Sequence, residues 1–428
     1  MEAVTINSGR KMADKEKWDW ETGTKVVVDS LNCPLLHVWR EEHQVSPDGE
    51  KIATIINTGD YQFTVCENLK NWENSYEKVW GLKYSPDGRL TALVMQDDGL
   101  WTLSVDGRNW NESFDYIWDT RFSRCGKMIA AAIQKDMRYG MCVNDQIWPE
   151  LFLSASQFTL SQDGETSCAV AQTRPMDQAD IFTYKKGCYS IAVNGKRWPL
   201  ELVSVWTPVF HPNTASIAAQ CRTSIYDYSI IVDGKVWPNS FSSVWRPAFN
   251  PSNASVVAPV RTGKHWALAQ DGEIVLRPDF FQMWHLCFSP SGDHLAAIVA
   301  PEFGKWTVAV DGKPWKVRFK SLVYDLVYGP KGEKVAAVGK NQDKWFIVVS
   351  GDTWKESFDM AWQPVFSNDE TMVAAKVEKN GKYFIVINGK IYDQEFDFVC
   401  DPVFSPDSKK ILIRGVIGFQ YVRIVHRL

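Results

Sequence analysis

The sequence has no two cysteines at C-x-x-C spacing, and its cysteine count, nine, is odd. That argues against a disulfide framework and against thiolate-held zinc or iron–sulfur centres. Most of the nine lie inside apolar runs such as Met141-Cys142-Val143 and read as small buried hydrophobes. Histidine is scarce as well: none of the seven stands at metal-ligand spacing from another, and His211 occupies a turn. No G-x-S-x-G elbow, phosphate-binding G-x-x-x-x-G-K-[ST] loop or H-E-x-x-H helix occurs. No apolar run approaches the ~18 residues of a membrane-spanning helix. The polar start, residues 1–24, lacks the apolar centre of a secretory signal. A cytoplasmic chain is therefore expected, either free or peripheral on the inner face of a membrane. Lys and Arg number 47 against 51 Asp and Glu, a net charge of −4 with both signs scattered, which argues against a nucleic-acid partner. Neither an enzyme nor a cofactor or metal site is expected.

What is abundant is tryptophan, 20 residues, and its placement is periodic. A polar turn, SPDG in its fullest form, begins at Ser46, Ser85, Ser123, Ser161, His211, Asn250, Ser289, Gly329, Ser367 and Ser405. These ten anchors are 38–40 residues apart, with one interval of 50. Five residues before an anchor stand Trp80, Trp118, Trp206, Trp245, Trp284 and Trp362, with Tyr324 as a substitute and Trp39 two residues early. A second ladder, about thirteen before, holds Trp72, Trp110, Trp148, Trp198, Trp237, Trp315 and Trp354. A third, about 22 before, holds Trp101, Trp266, Trp306 and Trp345, alternating with tyrosines. Only Trp18 and Trp20 fall outside the three ladders.

Between anchors each copy reads as four short strands. In the seventh, Leu286–Ser289, Leu295–Val299, Trp306–Val310 and Lys313–Phe319 are expected strands, the last two joined by Asp311-Gly312, a pair that tolerates the positive φ of a tight hairpin. Four antiparallel strands per ~40 residues, copied along a chain, specify a β-propeller blade. The expected fold is all-β, ten blades over residues 25–428, with Trp rings packed between blades. The chain ends one strand short of a blade, and an apolar strand follows the polar start, so the two ends are expected to complete one sheet. Propellers of four to eight blades being usual, two five-bladed rings with a switch near residues 240–250 are slightly favoured over one ten-bladed ring. On this reading Trp245→Ala costs about 3–5 kcal/mol as a core truncation, and Trp18→Ala under about 1.

Departures from the repeat are the candidate contact points. The long interval carries an insertion, residues 174–187, in which Ile181, Phe182 and Tyr184 are apolar contacts for a partner. Trp18 and Trp20 either pack on a blade or form a docking pair. Asp115, Asp359 and Asp397, each following a Phe, obey the repeat and read as strand-end hydrogen-bonding groups rather than catalytic carboxylates.

The SPDG turn followed by an apolar strand and then an aromatic strand resembles the repeats of WD-repeat and TolB-type propellers. The units V-D-G-K-x-W (Val232–Trp237, Val310–Trp315) and F-D-x-x-W (Phe114–Trp118, Phe358–Trp362) give a tryptophan-rich character. It resembles the tryptophan-rich cytoplasmic subunit of the transmembrane electron-transfer complex of sulfate-reducing bacteria. That resemblance implies a cofactor-free scaffold subunit docked to a cytoplasmic iron–sulfur protein and a membrane cytochrome b, linked indirectly to a multihaem cytochrome c. The alternatives are a propeller binding a small molecule or glycan at its channel mouth, and a general protein-interaction propeller.

Overall fold

A computed structural model describes residues 15–31, 39–176 and 180–428, and the statements below concern those residues. The expected strands are present as ten separate antiparallel sheets; nine are built in sequence order from a first to a fourth strand, and the tenth takes its outermost strand from the start of the chain. They are numbered here as blades 1 to 10 in chain order. Blade 7 is representative: Gln282–Phe288, Leu295–Glu302, Lys305–Val310 and Lys313–Pro314. Its fourth strand is shorter than the sequence predicts. The ladder breaks at Trp315 and resumes as a single bridge between Trp306 and Phe319. The break has a use, because Trp315 lies against the Gly351 turn of blade 8. The same arrangement recurs at Gly195, where an added Cβ would lie 2.9 Å from the Trp148 Cβ and 2.7 Å from Pro149, and where φ is +76°. Glycine is required there both for the turn and for the close approach of the next blade.

The repeated polar residues stabilise the strand ends. At the hairpin between third and fourth strands, Asp311 takes a positive φ and its Oδ1 accepts the Leu295 N–H at 2.9 Å, at the start of the second strand. Asp106, Asn144, Asn194, Asp233 and Asn388 do the same in other blades. Asp and Asn suit both tasks, tolerating the left-handed region and accepting a backbone hydrogen bond. Asp115, Asp359 and Asp397 accept the N–H of Asp136, Asn380 and Gly418 at 2.7 Å each, in the loop between second and third strands. They are the strand-end groups the repeat implies. His211 bridges to the backbone of the next anchor turn, 3.2 Å from Asn250 O and 3.1 Å from Asn253 O.

Aromatic pairs fill the junctions. Trp80 meets Trp101 at 5.2 Å, Trp245 meets Trp266 at 5.6 Å and Trp284 meets Trp306 at 5.7 Å between centroids, joining the first and third ladders within a blade. Such pairs add about 0.5–1.5 kcal/mol each beyond area burial. One expectation is corrected. Trp101, Trp148, Trp237 and Trp266 are buried, but Trp245 and Trp284 are 41 % and 42 % exposed. Trp245 stacks on Trp266 and shields it, so the core truncation lies at Trp266 and not at Trp245.

The two-ring expectation is also corrected. An apolar cluster occupies each successive junction, from blades 1 and 2 through blades 9 and 10. The cluster of Trp237, Phe241, Phe249 and Val256 joins blades 5 and 6, where a break between rings would fall. A further cluster of Val28, Ile52, Val416 and Tyr421 joins blade 10 to blade 1. The ten blades thus form one closed ring. The two chain ends meet as expected: Gly23–Val28 pairs antiparallel with Gln420–Arg427 and completes blade 10. Polar groups fasten this seam. Arg414 Nη1 donates to Ser46 O and Pro47 O, and Tyr421 Oη donates to Gly49 O at 2.8 Å. Arg423, 2 % exposed, donates to Asp48 O at 2.9 Å and pairs with Glu50 at 3.0 Å.

Two outcomes follow from this packing. Trp266→Ala is expected to cost about 3–5 kcal/mol and Trp245→Ala about 1–2, read from urea unfolding midpoints; equal losses contradict the shielding. Removing residues 1–28 bares the edge of Gln420–Arg427 and is expected to lower Tm and promote self-association in light scattering; an unchanged Tm would show that the ring does not need this strand.

Candidate functional site

The two faces of the ring differ chemically. One carries the anchor turns and is knitted from blade to blade. Arg124 N donates to Gln162 O at 2.7 Å, Asn213 Nδ2 to Pro251 O at 3.0 Å and Asn368 Nδ2 to Pro406 O at 2.9 Å. The buried Glu370 carboxylate accepts the N–H groups of Lys331, Gly332 and Lys334 in blade 8. Within these turns the Ser and Asp side chains bond to each other. In one of them, the Ser367 hydroxyl holds the Asp369 carboxyl down at about 2.

The opposite face carries the loops between second and third strands. The six most exposed large hydrophobic side chains among the described residues all stand there: Tyr61, Met137, Phe182, Tyr226, Phe303 and Phe419, between 60 % and 88 % exposed. They belong to blades 1, 3, 4, 5, 7 and 10, one per loop. Apolar side chains at the tips of successive loops are spaced anchors for another macromolecule rather than one continuous patch.

The insertion joins this set. Asp180 caps a short helix, Ile181–Lys186, accepting from Thr183 N at 3.0 Å. Ile181 and Phe182 are exposed, while Tyr184 is half-buried with its hydroxyl 2.9 Å from Ser204 Oγ. Arg174 and Arg197 pair with Glu201 at the base of the insertion. Residues 177–179 lie outside the described residues. Trp18 and Trp20 stack at 6.1 Å, both half-buried. Trp20 Nε1 donates to Lys15 O at 2.8 Å, and its own carbonyl accepts from Lys410 of blade 10 at 2.7 Å. The structure therefore does not bring the tryptophan pair and the insertion together. They belong to blades 10 and 4.

The sequence reading passed over a second set. First strands of successive blades lie against one another, so they form the inner edge of the ring. Most carry a bulge, with the register slipping just after the ladder aromatic. The residue at the slip, four before the anchor, has positive φ in Gly81, Asp119, Gln157, Thr207, His285 and Asp325. Arg246, Gln363 and Asp401 occupy the same position in blades 6, 9 and 10. Pro247, Pro364 and Pro402 follow them, and the missing N–H interrupts those strands. Bulges beside a channel re-aim side chains, and a positive φ outside glycine is maintained only where surrounding structure enforces it. The signal was present in sequence as a column that is polar apart from Gly81 and has no consensus residue, Asp at 119, 325 and 401 being its commonest occupant.

This inner ring is electrostatically uneven. Burial, with the Asp401 charge adding to it, pushes the Asp325 carboxyl up to about 6. Burial, with the Arg246 charge adding to it, holds His285 below the ordinary histidine value. Asp119 is paired with Arg121 at 2.8 Å. Among the described residues no cluster of His, Cys, Asp and Glu has metal-binding geometry, and no helix is long and apolar enough to cross a membrane. Cys142, Cys168 and Cys221 are buried, and burial pushes the Cys221 thiol up to about 12.

Asp325 gives a pH test. The unfolded carboxyl ionises near pH 4, whereas the folded one retains its proton to about 6. The stability it contributes is present below about pH 4, falls as pH rises toward 6 and is absent above. Asp325→Asn is expected to raise Tm by ~2 °C at pH 7.5 and leave it unchanged at pH 4. A difference that does not vary with pH contradicts the assignment.

No family model matches the chain, and no curated protein matches it. Among solved structures it is similar to a eukaryotic initiation factor, at 12 % identity and a TM-score of 0.47 over 79 % of this chain and 94 % of that one. It is similar to the Dos1 propeller at 10 % identity and a TM-score of 0.33, over 95 % of this chain and 94 % of that one. TolB from Acinetobacter baumannii matches at 14 % identity and a TM-score of 0.30, over 56 % of this chain and 60 % of that one. The assignment of a ten-bladed propeller stands on the chain's own ladders and junctions.

Proposed function

We propose that this chain is a non-catalytic scaffold that binds a protein partner across the face bearing the loops between second and third strands. The observation that carries the reading is the concentration of the six most exposed large hydrophobics on that one face. The anchor-turn face supports it by contrast. Its turns are cross-linked to each other, and its hairpin tips are mainly Asp, Asn, Gly and Lys. A closed ring of sheets is a rigid platform, so a partner gripping several loops orders few groups on this side of the interface. Phe182, on the one inserted helix, is the most prominent departure from the repeat and the natural first contact.

For the identity of the partner, the tryptophan-rich V-D-G-K-x-W and F-D-x-x-W units point to the cytoplasmic iron–sulfur protein of a membrane electron-transfer complex. In this finer reading the ring sits on the inner side of the membrane and carries no redox group itself. The support is the sequence resemblance alone.

The test uses the tagged full chain purified from its native host beside the triple variant Phe182→Ser, Tyr226→Ser, Phe303→Ser. The wild type is expected to recover a stoichiometric partner that the variant loses at least tenfold, with Tm unchanged because all three side chains are solvent-facing. Retention by the triple variant, together with loss in an anchor-face variant such as Arg108→Glu, would assign binding to the other face. A recovered partner free of haem and iron–sulfur centres would remove the redox reading and leave the scaffold.

A further inference from the structure

We propose that the junction between blades 6 and 7 binds a flat, uncharged aromatic molecule of one or two rings, in the space of a tryptophan that the repeat omits there. The inference is separate from the scaffold reading and does not depend on it. A second-ladder tryptophan stands in the apolar cluster at seven of the nine junctions from blades 1 and 2 to blades 9 and 10, and Tyr392 stands at an eighth. The ninth, between blades 6 and 7, has Leu276, thirteen residues before the Ser289 anchor. Gly312, in the next hairpin, closes over Leu276 as Gly351 closes over Trp315: an added Cβ would lie 2.9 Å from Leu276 Cδ1. Leu276 therefore stands where its counterparts carry an indole, with a much smaller side chain.

The neighbours do not take up the difference. A cavity of about 180 Å³ lies against Leu276 and Gly312, with Leu268, Met283 and Ala309 on its other sides. Protein interiors hold few voids larger than a water molecule. The backbone departs from the repeat at the same place. Gly272 to Phe280 is one residue longer than Gly312 to Phe319. The ladder slips there, pairing Ala269 with Ile274 and Leu268 with Leu276. The skipped residue, Val275, is bulged outward, 54 % exposed, and lines the cavity at its outer lip. The fourth strand then runs eight residues, Glu273–Phe280, where blades 1–5 and 7–9 have two.

The filled junctions define the ligand. Their occupant at this position is an aromatic ring lying under a glycine turn. At blades 3 and 4 the Trp148 Nε1 donates to Ser167 Oγ at 2.8 Å. The counterpart of Ser167, at the start of the second strand of blade 7, is Leu295, which lines the cavity. Recognition here thus rests on shape and apolar contact. Asp311 is the only charged residue on the lining, so an anion would meet a like charge and an apolar wall. A dry apolar cavity of ~150 Å³ is large enough for benzene, so this one suits a single ring or two fused rings. Indole is the probe of that shape, and indole-3-carboxylate is its anionic counterpart.

Calorimetric titration of the full chain tests the site. Indole is expected to bind at least tenfold tighter than indole-3-carboxylate and to raise Tm as its concentration rises. Leu276→Trp restores the missing ring from the chain itself and is expected to lose affinity for added indole at least tenfold. Ala309→Leu, which fills the same cavity from the third strand of blade 7, is expected to lose it too and carries the test if Leu276→Trp does not fold. Arg108→Gln, at an exposed hairpin, is expected to bind as the wild type does, and Tm without ligand shows which variants are folded. The proposal is overturned by indole binding no tighter than indole-3-carboxylate, or by either filling variant binding indole as the wild type does while folded.

Discussion

A ring of sheets must close, and that constraint governs almost every repeated residue in this chain. Each sheet is too thin to bury its own faces, so stability lies at the junctions between blades. Ten junctions must together make one full turn with no gap. The rings of the aromatic ladders set the thickness of each wedge, as Trp80 and Trp101 do against Tyr116 of the next blade. The Gly turns then close over the outer tryptophans, Gly389 over Trp354 and Gly351 over Trp315. An error in one wedge would have to be absorbed by the seam, where the two chain ends meet.

The seam is held differently from the other junctions. Arg414 and Arg423 are nearly fully buried there, and their guanidinium groups are directed mainly at backbone carbonyls of the first anchor turn. Buried charges are costly unless hydrogen-bonded. These bonds form only when blade 10 reaches blade 1 in one register. The arrangement thus favours the closed ring over a chain of blades with free edges, a specificity that apolar contact alone would supply less sharply.

How much of this could be read from the residues depends on whether the repeat carries the information. Strand number, hairpin position and the pairing of chain ends were legible, because Asp-Gly turns and alternating β-branched runs recur in phase. The Asp after each Phe was correctly a strand-end group for the same reason. Ring count was not legible: an unbroken period is the same for one ring of ten or two of five, and only the cluster at Trp237 and Phe249 decides it. The exposure of Trp245 was hidden because identical register does not mean identical neighbours. The arginines of the seam occupy alternating positions that read as solvent-facing on any strand. The bulge was missed because its only trace in composition is a polar column, which on a strand reads equally well as a solvent-facing position.

Symmetry therefore separates two kinds of residue. Those that recur in every blade answer to closure, and a change in any one of them would be felt at a junction. Those that differ from blade to blade at one register position are not needed by the ring, since neighbouring blades do without them. The loop-tip hydrophobics vary in this way, being Tyr, Met, Phe or absent at the ten loops, and so does the inner column that runs from Gly81 to Asp401. In the inner column the variation accompanies a backbone conformation unfavourable to side chains at Asp119, Gln157, Thr207, His285 and Asp325. A position that tolerates Gly81 without loss of the sheet does not require Arg246 or His285 for folding. The fold fixes where those side chains stand, and their identity is left to what they contact in the channel.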